Sequence, residues 1–175
     1  YITNYSTHVK TAIPFHFQKN KLAIVSLSGG VDSMCILYIL SQMREIYKFD
    51  LVACHLVYGN RVESWKEFSI VQEFCKKLKV LLYYYPIEDL KRKEVEREFY
   101  ERMTRDIRFN LYKSVIGEET DYGVYLGHIQ DDVVENVWTN FAKGQHLFHL
   151  QKMDVVSVQE GVRLVRPFLN TPKKI

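Results

Sequence analysis

Short apolar runs alternate with amphipathic stretches along most of the chain. Leu22 to Leu27 reads as a buried strand that breaks at Ser28-Gly29-Gly30. Asp32-Ser33 then opens an apolar stretch, Met34 to Leu40, whose helix-like composition carries on to about residue 47. Leu51 to Val57 is a second strand, and Glu63 to Leu78 a helix with Phe68, Val71, Phe74, Cys75 and Leu78 on one face. Val80 to Tyr85 is a third strand, ended by Pro86. Glu88 to Arg102 is dense in both charges and reads as a solvated surface helix of alternating charge. A helix through Met103, Ile107, Leu111 and Val115 is stopped by Gly117. Val124 to Leu126 is a short fourth strand, and Asp131 to Phe141 a helix ending at Gly144. Val155 to Val158 and Val162 to Val165 are extended, either as a hairpin or as two separate pieces.

Strands that alternate with helices imply parallel pairing through right-handed crossovers, an α/β fold with a mainly parallel sheet. Ligands in such sheets sit at the carboxyl ends of the strands. At 175 residues the chain suits one α/β domain, and its 47% hydrophobic content supports a core. A net charge of +3 permits contact with nucleic acid without demonstrating it. No run of about 18 apolar residues suggests a membrane span, and residues 1–20, an expected N-terminal extension, lack the progression of a secretory signal. Cys35, Cys54 and Cys75 are widely spaced, with no Cys-x-x-Cys pair. That spacing argues against a zinc ribbon, a cysteine-ligated cluster or a disulfide framework, and fits a reducing, cytoplasmic setting.

The most informative segment is Ser28-Gly29-Gly30-Val31-Asp32-Ser33. A strand, a glycine turn and a helix N-terminus offer backbone N–H groups to an anion, and the helix dipole favours phosphate there. Gly29 and Gly30 let the backbone turn tightly and approach a ligand. Ser28 and Ser33 add hydroxyl donors, and Asp32 a hard oxygen suited to Mg²⁺. No Gly-Lys-Ser/Thr follows, so this is not a Walker loop. The hexapeptide resembles the Ser-Gly-Gly-x-Asp-Ser signature of the PP-loop, or N-type ATP pyrophosphatase, superfamily. That resemblance implies a three-layer Rossmann-like fold (adenine nucleotide α-hydrolase-like), cleavage of ATP between its α and β phosphates, and transfer of AMP.

Two further clusters belong to the same rim. Gly127-His128-Ile129-Gln130-Asp131-Asp132 leaves the fourth strand and opens a helix. Asp131 and Asp132 there have an ordinary alternative role as helix caps. Otherwise a carboxylate facing Asp32 could share one Mg²⁺ bridging ATP phosphates, and His128 could donate to phosphate or leaving pyrophosphate. Arg105 and Arg108, three apart, share a helix face. They are either a plain surface pair or a brace for a triphosphate.

Together these clusters are similar to the tRNA(Ile)-lysidine synthase family. Its His-Val-Asn-His-Gly-x-Arg segment reads His55-Leu56-Val57-Tyr58-Gly59-Asn60-Arg61 here, and its Ala-Arg-x-x-Arg-Tyr reads Thr104-Arg105-Asp106-Ile107-Arg108-Phe109. Gly-His-x-x-Asp-Asp-x-x-Glu-Thr is matched from Gly127 to Glu135 with Asn136 in place of Thr, and Arg-Pro-Leu-Leu by Arg166-Pro167-Phe168-Leu169. The resemblance implies a catalytic domain over residues 21–175 without appended C-terminal domains. It implies catalytic roles for Asp32, Arg108, His128 and Asp132, and ATP contacts from Ser28 to Ser33 with Arg105 and Arg108. Asp32 and Asp132 would hold Mg²⁺. The implied reaction adenylates the C2 carbonyl of a tRNA cytidine, after which lysine or another amine displaces AMP. Alternatives are tRNA thiolation, for which Cys54 is the one candidate thiol, small-molecule amidation, and an inactive nucleotide- or RNA-binding module. The basic run Lys91-Arg92-Lys93, with Arg97 and Arg102, is the candidate RNA contact.

Overall fold

A computed structural model describes residues 22–59, 62–87, 96–132 and 154–170. Its strands are β1 (Leu22–Ser26), β2 (Asp50–Tyr58), β3 (Leu81–Ile87), β4 (Tyr122–Tyr125), β5 (Val156–Gln159) and β6 (Val162–Val165). Its helices are α1 (Val31–Tyr47), α2 (Val62–Lys77) and α3 (Arg97–Ile116). The six strands form one sheet in the order β3-β2-β1-β4-β6-β5. All neighbours are parallel except the β5–β6 hairpin. No helix among the described residues is long and apolar enough to cross a membrane.

Period-two alternation along the central strands feeds two cores. Ala23, Val25 and Leu27 pack with Ile36, Leu37 and Leu40 of α1 and Val71 and Cys75 of α2. Ile24, Cys54, Val124 and Leu164 meet Phe109, Tyr112 and Ile116 of α3 on the opposite face. The result is the expected three-layer α/β/α sandwich. The strand order reverses at β1, which pairs with β2 on one side and β4 on the other. A crevice at the carboxyl ends of β1 and β4 follows from that reversal.

Three sequence expectations change. The third strand runs through Pro86 to Ile87, with Pro86 in register with Val57. β3 is the sheet edge, where a residue without an N–H can face away from the ladder at no cost in pairing. The charged segment is helical from Arg97, as expected, but it runs unbroken into α3 as far as Ile116, and the buried face is Tyr100, Thr104, Phe109, Tyr112 and Ile116. Met103, Ile107, Leu111 and Val115, the expected stripe, are only half-buried beside it. Aromatic rings bury more area than the aliphatic stripe, and they set the rotation of the helix. The fourth strand is Tyr122–Tyr125, and the two C-terminal extended pieces pair as a hairpin. The helix expected from Asp131 is described only at its start, and residues 1–20 and 91–93 lie outside the described residues.

Candidate active site

The phosphate loop is built by a closed ring of hydrogen bonds. The Ser33 hydroxyl donates to the Gly30 carbonyl at 2.9 Å, so the Ser28 hydroxyl must be the donor in the 3.1 Å bond between the two serines. Gly30 N–H in turn donates to Ser28 Oγ at 3.2 Å, and Ser28 N–H to Ser33 Oγ at 3.2 Å. Both hydroxyls, expected as phosphate donors, are thus engaged in shaping the loop, and Ser33 is buried. What remains for an anion is backbone. Gly30 caps α1 in an extended conformation without any side-chain cap, and the first helical bond runs from Met34 N to Gly30 O. The N–H groups of Val31, Asp32 and Ser33 therefore precede the helical ladder, at the positive end of the α1 dipole. Gly29 has φ +86°, a left-handed conformation that favours glycine.

The loop is held from both neighbouring strands. His55 on β2 donates Nδ1–H to the Leu27 carbonyl at 2.6 Å and stacks on Phe68. Leu27 N–H donates to Cys54 O at 2.8 Å. From the β4 side, a Cβ on Gly127 would lie 2.9 Å from Ser33 N and 3.3 Å from two Asp32 atoms. Only glycine lets the β4 exit pack this closely on the first turn of α1.

A cavity of about 900 Å³ opens above this platform. Its wall includes Ser28, Gly30, Asp32, Ser33, Arg105, Arg108 and His128. Most of the candidate residues thus meet in one place. Val31 begins α1 with its side chain exposed. Gly29, Val31 and Asp132 are not on the wall. Asp132 Oδ2 accepts the Ile129 N–H at 2.8 Å, so the capping role left open for the Asp131/Asp132 pair falls to Asp132.

The two arginines separate. Arg108 Nη2 donates to Tyr58 Oη at 3.0 Å across the cavity from β2. Arg105 instead pairs with Glu160 (Nε to Oε1, 3.1 Å), donates to Gln159 at 3.4 Å and lies over the Phe109 ring. An exposed pair of this kind is worth about 0–1 kcal/mol, and it directs Arg105 toward the β5–β6 turn. Tyr112 donates to Ser26 Oγ at 2.6 Å beneath the cavity, and burial pushes its phenol up to about 12.

His128 has a defined tautomer. Arg166 Nε–H can only donate, so His128 Nδ1 accepts at 3.3 Å and the ring proton is assigned to Nε2. Burial holds this imidazole below its ordinary pKa; the Arg166 and Arg108 cations add to the effect and Asp132 opposes it. His128 is therefore a neutral donor near pH 7. Arg166, Tyr58, His55 and Gly127 stand within the sequence motifs, which assign them no role. For Tyr58, the last residue of β2, and Arg166, directly after β6, the signal available was a polar residue at the carboxyl end of a strand; nothing local marked His55 or Gly127.

The residues fit ATP with Mg²⁺. An uncapped helix N-terminus suits phosphate, and Asp32 stands in its first turn on the cavity wall. Among the described residues no group of three His, Cys, Asp or Glu could hold an ion alone. Mg²⁺ is commonly held by one or two carboxylates together with substrate phosphates, which this arrangement suits.

Fold and site define a nucleotide-binding α/β domain with a phosphate loop at a strand-order reversal. A PP-loop domain model matches residues 3–175, and the chain belongs to the PP-loop family. It is 27% identical over 158 residues to a tRNA(Ile)-lysidine synthase of Streptococcus gordonii, covering 90% of this chain and 35% of that protein. The Streptococcus thermophilus enzyme of the same name is 29% identical over 160 residues, covering 90% and 36%. The chain thus spans about a third of the length of these curated relatives. In fold it is similar to the U34-tRNA thiolase NcsA from Methanococcus maripaludis with its 4Fe-4S cluster. The TM-score is 0.73 at 20% identity, over 98% of this chain and 59% of that one.

Proposed function

We propose that the chain is the catalytic domain of an ATP-dependent tRNA-modifying ligase of the tRNA(Ile)-lysidine synthase type. It would adenylate the C2 carbonyl oxygen of a cytidine with release of pyrophosphate, and lysine would then displace AMP. The observation that carries this reading is the convergence of the uncapped α1 N-terminus, Asp32, Arg108 and His128 on one cavity. A volume of about 900 Å³ holds a nucleotide and leaves room for a second reactant.

The protein's share of this chemistry is positioning and electrostatics. The α1 N-terminus receives phosphate. Arg108, steadied by Tyr58, neutralises charge that builds on pyrophosphate, and His128 Nε2–H donates to a phosphate oxygen without surrendering its proton. Mg²⁺ would rest on Asp32; Asp132 keeps Oδ2 on the Ile129 N–H, so Oδ1 is the atom through which it would act. Bound there, the ion would offset phosphate charge.

A thiolation reading finds less support. Cys54 lines the cavity but is 2% exposed, and burial pushes its thiol up to about 12, so it stays protonated. Calorimetry tests the binding half of the proposal. ATP with Mg²⁺ should bind more tightly than AMP, and Gly30→Val should abolish the difference. No ATP binding, or binding untouched by Gly30→Val, would refute it.

A further inference from the structure

Arg166 is 2% exposed and yet forms part of the cavity wall. It follows β6 directly, and its backbone N–H donates to Val155 O at 2.7 Å. Its side chain ties three segments together. Nε donates to His128 Nδ1 in the β4 exit at 3.3 Å, and Nη1 donates to the Asp154 carbonyl at 3.0 Å and to Ser157 Oγ on β5 at 2.8 Å. Among the described residues no carboxylate comes within ion-pair distance of it, although Asp154 favours its charge from further away. A guanidinium buried in this way is costly to desolvate and depends on complete hydrogen bonding to stay. Its rigid fork also fixes where the His128 ring can lie.

We infer that Arg166 is the positioning residue of the site: through Nε–H it locks the His128 ring in the Nε2–H tautomer and aims that donor at the anion over the phosphate loop. This rests on the reading of the cavity as an ATP site. Without Arg166 no donor pins the neutral imidazole to one tautomer, and the molecules that carry the proton on Nδ1 lose the donor. Ser157 and the Asp154 carbonyl fix the guanidinium, so the C-terminal hairpin acts on the phosphate site through one side chain.

The test is long-range proton–nitrogen NMR on the protein labelled with ¹⁵N-histidine, without nucleotide, at mildly alkaline pH. The His128 signals are identified by their loss in His128→Gln. The wild-type protein should show a bare, accepting Nδ1 and a protonated Nε2. Arg166→Met, which keeps the length of the stem and removes the donors, should give mixed tautomers. It should also lower kcat for pyrophosphate release by about tenfold or more, with a smaller change in KM for ATP, as loss of one charge-assisted contact suggests. A wild-type Nδ1–H tautomer overturns the inference, and so does a pure Nε2–H tautomer in folded Arg166→Met. Should Arg166→Met fail to fold, the wild-type spectrum alone decides. Because that spectrum needs no substrate, a protein that released no pyrophosphate would refute the ATP reading and leave the tautomer result to stand or fall separately.

Discussion

Replacing Gly127 with alanine would add one methyl group at a closer backbone approach than at Gly29, Gly30, Gly117, Gly123 or Gly161. The new Cβ would sit 2.9 Å from Ser33 N, whereas ordinary contact begins at 3.4 Å. The atoms in its way are the backbone of α1's first turn, and the ring of bonds between Ser28, Gly30 and Ser33 braces that turn. Neither side can give by rotating a side chain, so the β4 exit and the phosphate loop must part by about 0.5 Å, the tolerance of a preorganised site. Overpacking of this kind costs about 1–3 kcal/mol of stability. Misplacement approaching 1 Å costs up to about 10²-fold in rate, so a loss of about tenfold in pyrophosphate release is expected. Urea unfolding and steady-state kinetics measure the two effects. Gly161→Ala is the control: it has open space but φ +79°, so it should lose stability and keep its rate. A Gly127→Ala protein with wild-type unfolding midpoint and wild-type rate would refute the packing argument.

Further outcomes follow from the arginines and histidines. Tyr58→Phe removes the hydroxyl that Arg108 holds and should slow pyrophosphate release by about tenfold, the scale of a hydrogen bond to a charged group in a half-buried setting. Arg108→Lys should lose more than that, because a point charge cannot reproduce the fork. Arg105→Lys should lose little, given its pairing with Glu160; equal losses in single-turnover assays would contradict the distinction. His55 and His128 are both held below their ordinary value of 6.5, chiefly by burial. The unfolded chain therefore binds more protons than the folded one as pH falls through 6.5, and stability should drop on acidification. Urea midpoints compared between about pH 7.5 and 5.5 measure this, and His55→Gln should flatten the profile; a midpoint that rose in acid would reverse the assignment.

The phosphate loop was legible in the sequence because its own turn is local, although the contacts that hold it from His55, Cys54 and Gly127 are not. A strand, two glycines and a helix start lie within a dozen residues, and their hydrogen bonds close among themselves. The face of α3 was not, since its rotation is decided by Tyr112 reaching Ser26 and by Phe109 meeting the far side of the sheet. Pro86 looked like a strand terminator because the edge position of β3 depends on the order of strands distant in sequence. The same holds for Arg166, whose partners are 9 to 38 residues away. Capping was one of the two roles open for the aspartate pair, and only the position of the Ile129 N–H decides that Asp132 takes it.

The measurement closest to the central proposal follows ATP labelled on its α-phosphate, incubated with the protein, Mg²⁺, tRNA and lysine. The expected products are AMP and pyrophosphate in equal amounts, formed only when tRNA is present, with lysine incorporated into the RNA and all turnover lost in Asp32→Asn. Formation of ADP and phosphate, or α–β cleavage that survives Asp32→Asn, would contradict the proposed function.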